Sequence, residues 1–204
     1  MKRIAVLASG RGSNFQALLD TIARGDVPAV CICLITDNPR AYAIERAVRA
    51  GIPFRVVDFS AFPDRKDFEE AIFRAMKECH ADLYLLCGYM RLLDSRTVRE
   101  FNGRIMNIHP ALLPSFRGLH AQRQALEYGV KVSGCTVHFV DEDMDSGPIV
   151  LQACVPVLEG DDEETLAARI LEQEHRILPE AVRLFCEDRL RIDGRRVMRL
   201  EREG

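Results

Sequence analysis

A chain of 204 residues with 48% hydrophobic and 29% charged residues has the make-up of a globular protein with a sizeable core. Its formal net charge of -3 argues against a dedicated nucleic-acid surface, and no apolar run approaches the roughly 20 residues of a membrane-spanning helix. The seven cysteines are odd in number, lack a Cys-x-x-Cys pair and mostly sit in apolar strand-like runs, so they read as reduced thiols of a cytoplasmic protein without zinc.

No cleavable leader is expected: Met1-Lys-Arg precedes a short apolar run, Ile4-Ala-Val-Leu-Ala8, that enters a glycine turn. The run is continuous, the mark of a strand buried on both faces. Ser9-Gly-Arg-Gly-Ser-Asn14 follows, and then an amphipathic helix from Phe15 to Ile22. Strand, glycine turn and helix together form an anion site, with Ser13 or Asn14 expected to cap the helix and its first N–H groups facing a phosphate. A dinucleotide fingerprint needs a third small residue at position 15, where this chain has Phe, so a single phosphate fits better than a dinucleotide.

The pattern repeats. A second buried strand covers 29–36 and ends at Asp37-Asn38-Pro39, a helix covers 42–50 before Gly51, and a third strand covers 54–58. Helical periodicity through Phe68, Ile72, Ala75 and Met76 leads to His80, an expected surface residue, and a fourth strand covers 83–87. Strands alternating with helices predict an α/β fold, a Rossmann-like and mostly parallel sheet flanked by helices. Ligands of such sheets gather at the carboxyl ends of the strands, where Gly10 to Asn14, the loop 88–93 and the stretch 107–109 all fall. The loop Gly88-Tyr-Met-Arg-Leu-Leu93 is apolar, and Met90 and Leu92 either line a flat pocket or pack under the helix 95–101.

Arg104-Ile-Met-Asn107-Ile-His109-Pro110 is a short strand delivering two polar side chains to one side, because residues 107 and 109 alternate with apolar ones. Pro110 ends the ladder and keeps His109 extended. An imidazole beside an amide suits proton transfer at a carbonyl, while a strand-end His bonded to a backbone carbonyl is the other reading. Residues 111–118 form an irregular loop, a helix runs from His120 to Tyr128, and a strand over 132–140 contains His138, expected to be a packed structural residue. The acidic loop Asp141-Glu-Asp-Met-Asp145-Ser-Gly-Pro148 lacks calcium-loop spacing. Asp145, held against Ser-Gly-Pro, is its member with a fixed backbone, and a carboxylate brought to His109 would orient the ring. After a strand over 149–157, a last helix capped by Asp161 or Asp162 presents Leu166, Ala167, Ile170, Leu171, Ile177 and Leu178, with Glu174 in the middle of that stripe. A buried carboxylate there needs a ligand hydroxyl or amine, or a buried pair. Asp193-Gly194 turns a C-terminal hairpin.

Taken together, Ala8-Ser-Gly-Arg-Gly-Ser-Asn14, Asn107-Ile-His-Pro-Ala-Leu-Leu-Pro114, Thr136-Val-His-Phe-Val-Asp141, Asp145-Ser-Gly-Pro148 and Glu174-His175 resemble the folate-dependent glycinamide ribonucleotide formyltransferases over essentially the whole chain. The resemblance implies one domain, 1–204, with a phosphate-binding half (1–100) and a catalytic and folate-binding half (101–204). It also implies formyl transfer from N10-formyltetrahydrofolate to glycinamide ribonucleotide in purine biosynthesis, without metal, nucleic acid or membrane, by a cytoplasmic monomer or homodimer. Asn107, His109 and Asp145 take the catalytic positions of the family. Gly12, Ser13 and Asn14 take the phosphate and Glu174 the ribose. The folate falls on Met90, Arg91, Leu92, Leu93, Val140, Asp141 and Asp145, with Arg65 at its tail. Ser115 departs from the basic residue of some members, which opens the role of the loop 115–117. A formyltetrahydrofolate hydrolase shares the trio without needing the phosphate turn. A nucleotide-binding module or oxidoreductase uses the glycine turn with Asp37 on a ribose but leaves the trio unexplained.

Overall fold

The computed structural model describes residues 1–201, in two compact units that divide between Met106 and Asn107. In the first, β1 (Lys2–Leu7), β2 (Ala29–Thr36), β3 (Phe54–Val56) and β4 (Leu83–Leu86) lie in the order β3-β2-β1-β4 and pair in parallel, as at Ile4 with Leu83 and Leu34 with Phe54. Helices α1 (Ser13–Ala23), α2 (Ala43–Arg49), α3 (Arg65–Cys79) and α4 (Ser95–Glu100) supply the connections. Burial on both faces explains the unbroken apolar runs: Ile4 to Leu7, Leu34, Ile35, Leu83 and Leu85 are fully enclosed. Tyr84 tolerates this core because its hydroxyl donates to the Met76 carbonyl at 2.7 Å. Strand β3 stops two residues short of the expected end, because the Asp58 carboxylate accepts from the Ser60 N–H (2.9 Å) and turns the chain into a short 3₁₀ segment. His80 is exposed and closes α3 in a left-handed conformation.

Strand β5 (Ile105–His109) ends in the second unit, which adds α5 (Ala121–Tyr128), β6 (Val132–Phe139), β7 (Ile149–Pro156), α6 (Glu163–Cys186) and the hairpin β8 (Leu190–Asp193) and β9 (Arg196–Arg199). Here the strand order is β5-β6-β7-β9-β8. Strands β6 and β7 pair antiparallel, and Gly134 is the close-approach point, since a Cβ there would stand 1.9 Å from the Ala153 carbonyl oxygen. Helix α6 begins with a capping box between Asp162 and Thr165 and buries Leu166, Ile170, Ile177 and Leu178 as expected, with Glu174 among them. The expected α/β class, with parallel pairing through the first unit and a C-terminal helix and hairpin in the second, is what the chain forms. None of the seven cysteines is in a disulfide. Among the described residues no helix is long and apolar enough to cross a membrane.

Candidate active site

The glycine turn departs from the sequence expectation at its cap. Neither Ser13 nor Asn14 caps α1; the N-cap is Gly12, in a left-handed conformation (φ 66°) with no side-chain cap. Only glycine serves at this position, because a Cβ would come 2.8 Å from the Ala43 Cβ. The turn is held from several sides: Ala43 N–H donates to Gly10 O (3.1 Å), Arg46 Nε to Arg11 O (2.8 Å), Asn38 Nδ2 to Ser9 O (3.1 Å), and Met90 N–H to the Ser9 hydroxyl (2.9 Å). A backbone fixed this way, at the start of an 11-residue helix with no side-chain cap, is preorganised for an anion. Phe15 is fully buried in the core, so the third small residue of a dinucleotide fingerprint has no counterpart.

In the same unit Met90 and Leu92 are 63% and 56% exposed, which rules out packing under α4. Arg91 between them is fixed twice, by Asp37 (Nε to Oδ2, 3.0 Å) and by the Phe59 ring beneath its guanidinium at 3.8 Å. The carboxylate that an oxidoreductase would give to a ribose is therefore engaged by an arginine. Arg65, at the start of α3, is exposed and paired with Glu69 at 2.5 Å.

The second unit brings the expected trio together. Asn107 Nδ2 lies 3.4 Å from Asp145 Oδ1, and His109 Nδ1 lies 3.4 Å from Asp145 Oδ2. Asp145 is itself in a left-handed conformation (φ 49°), a cost that an ordinary loop residue does not carry without support. Gly118 N–H donates to its Oδ2 at 2.8 Å. His109 is buried and its Nε2–H donates to the Phe116 carbonyl at 2.8 Å, so both readings of this residue hold at once: it makes a backbone bond and faces a carboxylate. Only the doubly protonated ring donates to both neighbours. The loop 111–118 earns its fixed shape from polar pins. Thr136 Oγ1 donates to Ala111 O (2.7 Å) and accepts from Leu113 N–H (3.1 Å), and Gln152 Nε2 donates to Leu113 O (3.0 Å).

His138 is more than the packed residue expected from sequence. It is 2% exposed, its Nδ1–H donates to the Phe139 carbonyl at 2.9 Å, and its Nε2 accepts from Asn107 Nδ2 at 3.2 Å. That tautomer, together with Asp145, fixes which way the Asn107 amide points. The available signal was Thr136 and His138, two polar residues on one face of an otherwise apolar strand. Burial holds the His138 imidazole below its ordinary pKa of 6.5, against the opposing pull of Asp145 and Asp141 and with help from His109. The unfolded chain therefore takes up this proton first, so stability is complete above about pH 6.5 and is lost as pH falls below it. We expect the melting temperature of the wild type to fall more steeply from pH 7.5 to 5 than that of His138→Gln; parallel curves would remove His138 as the cause.

Glu174 is 7% exposed on α6, on the side facing β6, where burial and then its charge push the Cys135 thiol up to about 12. Val140 and Asp141 open the acidic loop, and Asp141 accepts from the Ser146 hydroxyl at 2.6 Å. Ser115 and Arg117 are exposed.

Residues 2–182 match the formyl transferase family. The chain belongs to the formyl transferase family. Among its solved members, glycinamide ribonucleotide transformylase 1 from Symbiobacterium toebii is 54% identical, covers 98% of this chain and 95% of its own, and superposes with a TM-score of 0.95. A formyltetrahydrofolate deformylase from Pseudomonas syringae pv. tomato is 27% identical with a TM-score of 0.91, over 98% of this chain and 66% of that one. The trifunctional purine biosynthetic protein adenosine-3 of Drosophila pseudoobscura pseudoobscura is 48% identical over 93% of this chain, which spans only 14% of its length. The formyl transferase fold thus serves both transfer and hydrolysis, and the choice between them rests on the residues.

Proposed function

We propose that this formyl transferase moves the formyl group of N10-formyltetrahydrofolate to the primary amine of glycinamide ribonucleotide, a step of de novo purine biosynthesis. The observation that carries the reading is a nearly buried carboxylate, Asp145, set between an amide and an imidazole that are its neighbours at 3.4 Å each. The amine nitrogen bonds to the formyl carbon, a tetrahedral oxyanion forms, and the bond from that carbon to N10 breaks. Asn107 donates to the oxyanion, and protonated His109 beside it offsets the negative charge. The long Asn107–Asp145 contact is the one a substrate oxygen replaces most readily, since the amide keeps its bond to His138. Asp145 orients the His109 ring and receives the amine proton through water, while N10 takes up a proton as it leaves.

The nucleotide phosphate is assigned to the turn at Gly12, Ser13 and Asn14, and the ribose to Glu174. The folate is assigned to Met90, Arg91, Leu92 and Leu93, with Val140, Asp141 and Asp145, and its tail to Arg65. Hydrolysis needs no such phosphate turn, so the uncapped, multiply held start of α1 favours transfer. With formyl-labelled folate and glycinamide ribonucleotide, mass spectrometry should find the label as an amide on the nucleotide; label recovered as formate would contradict transfer. Ser13→Asp places a carboxylate on the anion turn and should raise KM for the nucleotide about tenfold or more while sparing the folate. Equal weakening of both ligands by calorimetry would count against a dedicated phosphate site.

A further inference from the structure

We propose that Arg195, in the turn of the C-terminal hairpin, is a positioning residue that holds the Asp145 loop in its working shape, an inference that rests on the transfer reaction above. A short two-stranded hairpin is marginal alone, so its place depends on what it grips. At one end it grips α6. Arg199 pairs with Glu180 of α6 (3.5 Å) and Arg189 with Glu187 just past its end (3.1 Å), while Arg189 Nε donates to Leu200 O (2.9 Å) and Leu200 N–H to Arg189 O (2.9 Å), closing the open end of the hairpin on itself. At the other end β9 joins β7 at a single register pair, Ile149 with Arg196, which brings the turn beside the loop 141–148.

There Arg195 Nη2 donates to the Ser146 carbonyl at 2.5 Å, one peptide beyond Asp145. The Ser146 hydroxyl ties the inner side of the loop to Asp141 Oδ1 (2.6 Å) and the Asp143 carbonyl (3.4 Å), and Phe139 N–H closes its neck on Pro148 O (2.9 Å). The Arg195 bond therefore lands on the Ser146–Gly147 peptide, one unit past the peptide that leaves Asp145 at φ 49°, a stretch where the backbone has a strong tendency to relax. Relaxation there swings the carboxylate away from Asn107 and His109. A hairpin far along the chain thus steadies the catalytic carboxylate through one side-chain bond to a backbone carbonyl.

The test uses the full chain with Arg195→Met, which keeps the stem and loses the donor, and Arg195→Lys, which restores one. Arg195→Met should lower kcat about tenfold, with KM for both substrates within about twofold and an unchanged melting temperature, because small displacements of a reacting group are costly. Arg195→Lys should recover much of the loss, and millimolar guanidinium should partly restore Arg195→Ala. A wild-type kcat in Arg195→Met overturns the proposal, as does a loss that tracks a lowered melting temperature and is not recovered by Lys. If the wild type releases formate instead of formylating the nucleotide, the transfer reading fails on its own, and the same comparison is made on formate release.

Discussion

Asp145→Asn is expected to lower the turnover of formyl transfer by roughly 10²–10³-fold, the loss found when a preorganised group at a developing oxyanion is removed. The substitution keeps size and shape, and the new side chain still offers an oxygen to the Gly118 N–H that now sits 2.8 Å from Oδ2. What it removes is the charge facing His109 Nδ1 at 3.4 Å, and it sets an amide against Asn107 Nδ2, donor to donor. Most of the binding contacts are assigned to residues other than Asp145, so KM for both substrates should stay within about threefold, the pattern of an interaction made in the transition state. His109→Ala should fall in the same range. The measurement is steady-state kinetics beside a thermal melt; a kcat within about threefold of wild type for either variant would remove that residue from the chemistry.

Gly147→Ala should be nearly as damaging without touching a reacting group. A Cβ at this position would stand 1.8 Å from the Phe139 carbonyl oxygen and 2.8 Å from its carbon, both main-chain atoms of β6 that cannot step aside. Relief comes only by lifting the loop that carries Asp145, or by breaking the bond from Phe139 N–H to Pro148 O. Overpacking of this kind costs about 1–3 kcal/mol. A displaced carboxylate costs on the order of 10²-fold in turnover. Kinetics and melting on one preparation separate the two losses, and full activity in Gly147→Ala would mean that the backbone at 147 is not the constraint on Asp145.

How far the residues alone foretold these features depended on whether the cause was local. The continuous apolar run 4–8 marks a doubly covered strand and the chain forms it, whereas in the run 29–36 only Cys33 to Thr36 are enclosed and Val30 is 41% exposed, because coverage of an outer strand depends on neighbours that the run does not name. Asn107 and His109 were legible as a pair because strand alternation is a local rule. Glu174 was legible because a carboxylate breaks an apolar helical stripe. Features set by distant partners were not. Gly12 displaces Ser13 and Asn14 as the cap through its approach to Ala43, a residue distant in sequence that only the fold brings close, and no local preference announces that contact. His138 orients Asn107 through a bond that exists only once β5 and β6 meet the acidic loop. The grip of Arg195 on Ser146 is of the same kind: the turn residues predict a hairpin, but not what the hairpin holds.

The most direct test of the account is the rate of tetrahydrofolate release from N10-formyltetrahydrofolate by the purified chain, measured with and without glycinamide ribonucleotide. Transfer predicts rapid release only when the nucleotide is present, matched by formylated nucleotide in equal amount and abolished together with it in Asp145→Asn. Release at the same rate without the nucleotide would contradict the account and make the chain a hydrolase.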